Sequence, residues 1–174
     1  MAENLVAHQS PSENGKTTKL ASLSELLPRE RIRLNVQAAN WQEAIRAAGK
    51  LLFDTGAVTA DYTEAMIKVA EELGPYIVIA PGIALPHAAT ESGAKQSALS
   101  MIKLSVPIYF GNPDNDPVKL VFGLSAIDNK VHMLALQALA KLFQSKYLVS
   151  QLFKAESVGS VIEIIHQAEE MLDT

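Results

Sequence analysis

The stretch ELGPYIVIAPGIALPHA, residues 72–88, closes one predicted helix, contains two short predicted strands and ends beside a histidine. Its first leucine and glycine end a helical pattern, and residues 77–80 and 83–85 are predicted as buried strand interrupted by a Pro-Gly pair. Pro86 has a fixed φ and favours an extended conformation for the residue before it. His87 therefore follows a rigid strand end, the arrangement expected of an accessible nucleophile.

The imidazole ring of a histidine at this position can act as a nucleophile. An unperturbed imidazole has a pKa near ~6.5, so at neutral pH a histidine can attack an electrophile without a separate base. Phosphorus is the expected target, because a phosphoimidazole keeps a high transfer potential. An isolated Pro-His pair more often only ends a strand and bonds a loop carbonyl, so the function of His87 depends on the pattern around it.

That pattern resembles the phosphorylation-site signature of the mannitol/fructose-type enzyme IIA domains of the bacterial sugar phosphotransferase system. Every specified position of the signature is filled, by Glu72, Ile79, Ala80, Ile83, Ala84, Leu85, Pro86, His87 and Ala88. The variant GPYIVIAPGIALPH, with the later DNDPV, is most similar to the ascorbate-specific branch. In that branch an arginine follows the active histidine by two positions, where this chain has Ala89.

Predicted helices and strands alternate along the chain. Further strands are predicted at residues 31–36, 98–104 and 118–126, and helices at 21–27, 41–53, 59–73, 131–143, 147–153 and 157–172. Residues 106–117 are rich in proline and glycine and are predicted as a loop or edge strand. The order predicts an α/β fold, a three-layer sandwich with a mixed β-sheet flanked by helices, which is the mannitol-type enzyme IIA fold. Residues 1–20 are expected to form a flexible tail before an enzyme IIA type-2 domain at 21–174.

His132 is the second candidate site residue. It lies in the first turn of a predicted helix and shares a helical face with Leu136 and Leu139, so a core-edge histidine bonded to a carbonyl is one interpretation. The other uses the free N–H groups of the helix start, capped by Asp128 or Asn129, which suit a phosphate at the carboxyl ends of the strands. The resemblance implies a second histidine beside the phosphorylated one, and SAIDNKVHMLAL is similar to its location.

The other two histidines and the acidic pairs are expected to have no role in chemistry. His8 lies in the polar tail, and His166 lies on a polar helix face where an exposed pair with Glu170 is expected. The pairs at residues 71–72 and 169–170 are interpreted as solvated faces. No metal site and no cofactor are expected, because two histidines lack a third ligand unless Asp128 completed the set.

Composition limits the class of protein. The chain has 174 residues, 48% of them hydrophobic, which suits a single domain with one sizeable core. Its net charge of −4 argues against a nucleic-acid partner, and it has no cysteine for a disulfide or thiolate site. Neither a signal peptide nor a membrane-spanning stretch is recognised in the sequence, so a cytoplasmic protein that is not membrane-embedded is expected.

The resemblance implies a phosphocarrier. His87 would accept a phosphoryl group from the small carrier HPr and donate it to an enzyme IIB, with a membrane enzyme IIC downstream and His132 assisting the transfer. A homodimer is left open. One alternative is a regulatory protein like the nitrogen-type enzyme IIA proteins, and another is a non-catalytic interaction module of the same fold.

Overall fold

A computed structural model describes residues 22–172, so the predicted tail and the predicted helix start at residue 21 lie outside the described part. Its helices are α1 Leu23–Leu26, α2 Trp41–Asp54, α3 Ala60–Leu73, α4 Asn129–Gln144, α5 Lys146–Lys154 and α6 Val158–Leu172. Its strands are β1 Ile32–Val36, β2 Val78–Ala80, β3 Ile83–Ala84, β4 Ala98–Ile108 and β5 Val118–Ser125. Among the helices of this part, none is both long and apolar enough to cross a membrane.

The five strands form one mixed sheet in the order β1-β4-β5-β3-β2. β1 runs parallel to β4, β3 runs parallel to β5, and the pairs β4–β5 and β2–β3 are antiparallel. One sheet face packs on α1, α4, α5 and α6, and the other packs on α2 and α3. The predicted three-layer α/β sandwich with a mixed sheet is therefore confirmed.

Alternation along β4 explains how one strand serves both layers. Leu99 and Met101 pack in the core beneath α4–α6, whereas Ala98 and Ile102 pack in the core beneath α2 and α3. Ser100 shares the second face and is fully buried, and its hydroxyl donates to the Ala48 carbonyl of α2 at 2.8 Å. A buried hydroxyl is tolerated there because it has this partner.

The strand predicted at residues 98–104 extends further than expected, and the start of the predicted loop or edge strand at 106–117 is strand. Residues 106–108 continue β4, which lies inside the sheet, and they include Pro107. The proline fits because β1 ends at Val36, opposite Leu104, so one side of β4 has no neighbouring strand beyond that point. Val106 is accordingly 70% exposed.

The DNDPV segment braces the β2–β3 hairpin that leads to His87. The Asp116 carboxylate accepts hydrogen bonds from three backbone N–H groups, those of Phe110, Gly111 and Asn112, at 2.8–3.0 Å. The Asn115 amide donates to the Val78 carbonyl at 3.2 Å, and the Gly82 N–H donates to the Asn115 carbonyl at 2.8 Å. The segment thus holds the end of the sheet opposite His87.

Candidate active site

His87 lies just beyond β3, where the chain continues in an extended conformation. It forms a single parallel bridge with Leu124, and the Leu124 N–H donates to the Pro86 carbonyl at 3.1 Å. The half-buried ring places Nδ1 at 2.9 Å from the Leu85 carbonyl oxygen. Because a carbonyl can only accept, Nδ1 carries the proton in this contact and Nε2 of the neutral ring presents its lone pair.

His132 lies in the first turn of α4, as the sequence predicted. Asp128 is the N-cap, and its carboxylate accepts from the Val131 N–H at 2.8 Å. The His132 ring is half-buried and its centroid is 5.3 Å from that of His87, with the two planes inclined by 56°. The structure therefore brings together the two histidines that the sequence singled out.

Electrostatics favour the neutral form of the second histidine. Burial lowers the pKa of His132 below its usual value, and the neighbouring His87 lowers it further. A neutral imidazole still donates one N–H, so His132 can bind a phosphoryl oxygen without carrying a proton charge of its own. The exposed Ala89 adds no charge beside the pair.

Two hydroxyl groups lie behind the histidines, and the bonds that they make were not predicted from the sequence. Tyr62, which lies within the predicted helix 59–73, is fully buried, and its hydroxyl donates to the Leu124 carbonyl at 2.7 Å. The same oxygen accepts from the Ala88 N–H at 3.1 Å. Thr90 donates to the Ala126 carbonyl at 2.8 Å. Burial raises the pKa of Tyr62, so its phenol remains a protonated donor.

An apolar groove adjoins the histidine pair. It encloses about 400 Å³, and its lining residues include Ile79, Leu85, Leu136, Ala140 and Phe143. Leu85 precedes His87 by two positions and Leu136 follows His132 by one helical turn, so near neighbours of both histidines line the groove. Ile79 is 44% exposed, and Met133 in the first turns of α4 is 53% exposed.

The remaining histidines lie apart from this pair or outside the described part. His166 on α6 lies 3.6 Å from the carboxylate of Glu169, so the expected pair with Glu170 was wrong. Glu169 also accepts from the Ser24 N–H at 2.6 Å, which ties α6 to α1, so it does not belong to a merely solvated face. His8 lies outside residues 22–172, and within those residues no group of three metal-ligating side chains is assembled.

A mixed sheet between two helical layers, with paired histidines at one sheet end, defines the class of mannitol-type enzyme IIA proteins. The model of the phosphoenolpyruvate-dependent sugar phosphotransferase system family EIIA 2 matches residues 25–168. The chain belongs to this family, as the resemblance in the sequence indicated.

Two similar relatives have different specificities, one for ascorbate and one for mannitol. The chain is 33% identical over 135 residues to the ascorbate-specific PTS system EIIA component of Escherichia coli K12, covering 77% of this chain and 88% of that one. It is 38% identical over 144 residues to the mannitol-specific cryptic phosphotransferase enzyme IIA component of the same strain, covering 82% and 97%. A structure of Escherichia coli enzyme IIAMTL in complex with phosphorylated enzyme IIBMTL matches with a TM-score of 0.72 and 27% identity, covering 82% and 99%.

Proposed function

We propose that this chain is a phosphocarrier in which His87 accepts a phosphoryl group from phospho-HPr and donates it to an enzyme IIB. The observation that carries the proposal is the contact between Nδ1 of His87 and the Leu85 carbonyl, which leaves Nε2 as the free nucleophile. Membership of the EIIA 2 family supports the reaction class, since these components mediate phosphoryl transfer.

The phosphoryl transfer needs no separate base to deprotonate the nucleophile. The lone pair of Nε2 attacks phosphorus, the new N–P bond forms, and the N–P bond of the donor breaks with its electron pair returning to the donor imidazole. No proton leaves Nε2, because the ring proton is on Nδ1, where it stays. The Leu85 carbonyl accepts the hydrogen bond from the Nδ1–H group of His87 and so stabilises the positive charge that develops on the ring.

His132 would stabilise the transferred group. Its ring lies 5.3 Å from that of His87 between centroids, close enough for its N–H to reach an oxygen of a phosphoryl group on Nε2. Partial burial strengthens such a contact relative to water, and a neutral His132 can donate the hydrogen bond. Catalysis then consists mainly of positioning and charge stabilisation, and the partner supplies further donors.

The face around the histidines must serve a donor and an acceptor in turn. The apolar groove and the exposed Ile79 and Met133 offer one continuous surface for both. Because both complexes must dissociate quickly, each interface is expected to bury less than ~1,200 Å². The structure of a related IIA protein with its phosphorylated IIB partner supports an acceptor of this kind. The proposal keeps the cytoplasmic location expected from the sequence.

The proposed acceptor is an ascorbate-type IIB. GPYIVIAPGIALPH and DNDPV support this branch, and an ascorbate-specific relative spans most of the chain. Ala89 lacks the cation of that branch, and the mannitol-type relative is also similar, so transfer to both acceptors must be compared. Faster transfer to an ascorbate-type IIB than to a mannitol-type IIB under one salt condition is expected. Equal rates would refute the ascorbate assignment and leave the phosphocarrier proposal standing.

Labelling from phosphoenolpyruvate tests the function and the site together. With enzyme I and HPr present, the wild-type chain should take up label, and His87→Ala should take up none while keeping its unfolding temperature. His166→Ala is the matched control, because it removes an exposed histidine on α6 and should label normally. A labelled His87→Ala chain would show that the site is elsewhere. An unlabelled wild-type chain would instead favour the interaction module of the same fold.

A further inference from the structure

We infer that the hydroxyl groups of Tyr62 and Thr90 are positioning groups that set the spacing between His87 and His132. Both hydroxyls join the segment that follows His87 to the segment that leads from β5 into α4. Their effect on turnover rests on the proposed function, whereas their effect on the spacing of the rings does not.

Tyr62 reaches the site from the opposite helical layer. It lies near the start of α3, on the sheet face away from α4, and its ring is fully buried. The phenolic proton has two carbonyl acceptors, Leu124 at 2.7 Å and Ala88 at 3.2 Å, of which Leu124 is the closer, and the phenolic oxygen accepts from the Ala88 N–H at 3.1 Å. One hydroxyl therefore links the residue after His87 to the end of β5.

The Tyr62 hydroxyl lies between two backbone groups that bond each other directly in a regular parallel pair of strands. In the parallel bridge of His87 with Leu124, the Leu124 N–H donates to the Pro86 carbonyl, and the regular partner of the Leu124 carbonyl is the Ala88 N–H. Here the Tyr62 oxygen bonds both of these groups. The phenol thus acts as a spacer that fixes how far the two chain ends diverge beyond the sheet.

Thr90 makes the second link, nearer to α4. Its hydroxyl donates to the carbonyl of Ala126, which is two residues before the N-cap Asp128 and six before His132. A bond at this point limits rotation of the segment that aims α4 at His87. Tyr62 and Thr90 thus link the segment after His87 to the segment before α4 at two points. Two links between the same two segments fix their relative orientation as well as their distance.

Tyr62→Phe removes the spacer and keeps the ring. The space left by one hydroxyl oxygen is too small for a water molecule, so the Ala88 N–H and Leu124 carbonyl should approach each other or remain unpaired. If they approach, His87 shifts relative to His132, and if they remain unpaired, the segment after His87 is no longer held at one distance from β5. A misplacement near 1 Å costs up to ~100-fold in rate, so kcat for transfer from phospho-HPr is expected to fall by about 10- to 100-fold. KM should stay within about twofold, because the docking surface is untouched.

Ring-to-ring NOEs between His87 and His132 in the unphosphorylated protein give the second readout. Wild-type protein should show them, and their intensity should change in Tyr62→Phe and in Thr90→Val. Tyr109→Phe is the matched control, because this tyrosine is 73% exposed beyond the far end of β4 and should alter neither readout.

The outcomes separate the two proposals. Wild-type NOEs in a folded Tyr62→Phe chain overturn the positioning role, whether or not its turnover is slower. If Tyr62→Phe does not fold, Thr90→Val decides by the same NOE and kinetic measurements, and unchanged values overturn the inference. A wild-type chain that accepts no phosphoryl group would overturn the proposed function, while the NOE comparison would still test the spacing.

Discussion

Replacing His132 by alanine tests how much the second histidine contributes to phosphoryl transfer. The change removes one N–H donor beside His87 and leaves the Nδ1 contact of His87 with Leu85 in place. Loss of a well-placed donor in a closed site costs ~3 to 4 kcal/mol. This ring is only half-buried, so solvent reduces the contribution, and about 2 kcal/mol or roughly 30-fold in rate is expected.

A single-turnover rapid-quench assay with labelled phospho-HPr measures this rate directly. The His132→Ala chain should reach the same final labelling at His87, only more slowly, because the nucleophile is unchanged. His166→Ala controls for the loss of a histidine elsewhere on the surface. A rate within about twofold of wild type would remove His132 from the site, since one useful hydrogen bond is worth more than that. Label recovered on His132 itself would reverse the two roles.

Two further predictions concern stability. The pKa of His132 is lowered in the folded chain, so the unfolded chain binds more protons below about pH 6.5. The contribution of His132 to the free energy of unfolding should therefore be largest above that pH and should decrease as the solution is acidified. His132→Asn should flatten that part of the urea-unfolding profile, and parallel profiles would contradict this. Asp116→Ala should cost ~1 to 3 kcal/mol, because three N–H groups lose their acceptor. Asp114→Ala, an exposed neighbour, should change the free energy of unfolding by less than ~0.5 kcal/mol, and equal losses would refute the bracing role.

The sequence predicted those parts of the fold that depend on local patterns. Asn40 and Asp128 both cap their helices through side-chain oxygens, as short polar residues before an apolar periodic segment indicate. The position of His87 was also predictable, because it follows from Pro86 and from the strand before Pro86. These features depend on neighbours in the chain, so one sequence is sufficient to find them.

Contacts between distant segments were not predictable in this way. Tyr62 recurs at helical spacing with apolar residues, and nothing in that periodicity indicates that its hydroxyl bonds Leu124. One general signal was present, since a tyrosine buried in a core normally needs a partner for its hydroxyl. That β4 runs on past Leu104 through Pro107 was not predicted for a similar reason, because it depends on where β1 ends. His166 lies near Glu169 and does not pair with Glu170. Which of the two it contacts depends on side-chain conformations, which spacing alone does not determine.

The position of β5 between β3 and β4 has a consequence for how the protein matures. His87 follows β3 and His132 follows β5, so the two rings meet only after β5 has paired with β3. Closure of such distant segments is expected late in folding. A chain still being synthesised, or one trapped half-folded, would therefore offer donors an incomplete acceptor. Such a chain would accept phosphoryl groups more slowly, so the amplitude of the fast phase of labelling would report the fraction of chains that have matured.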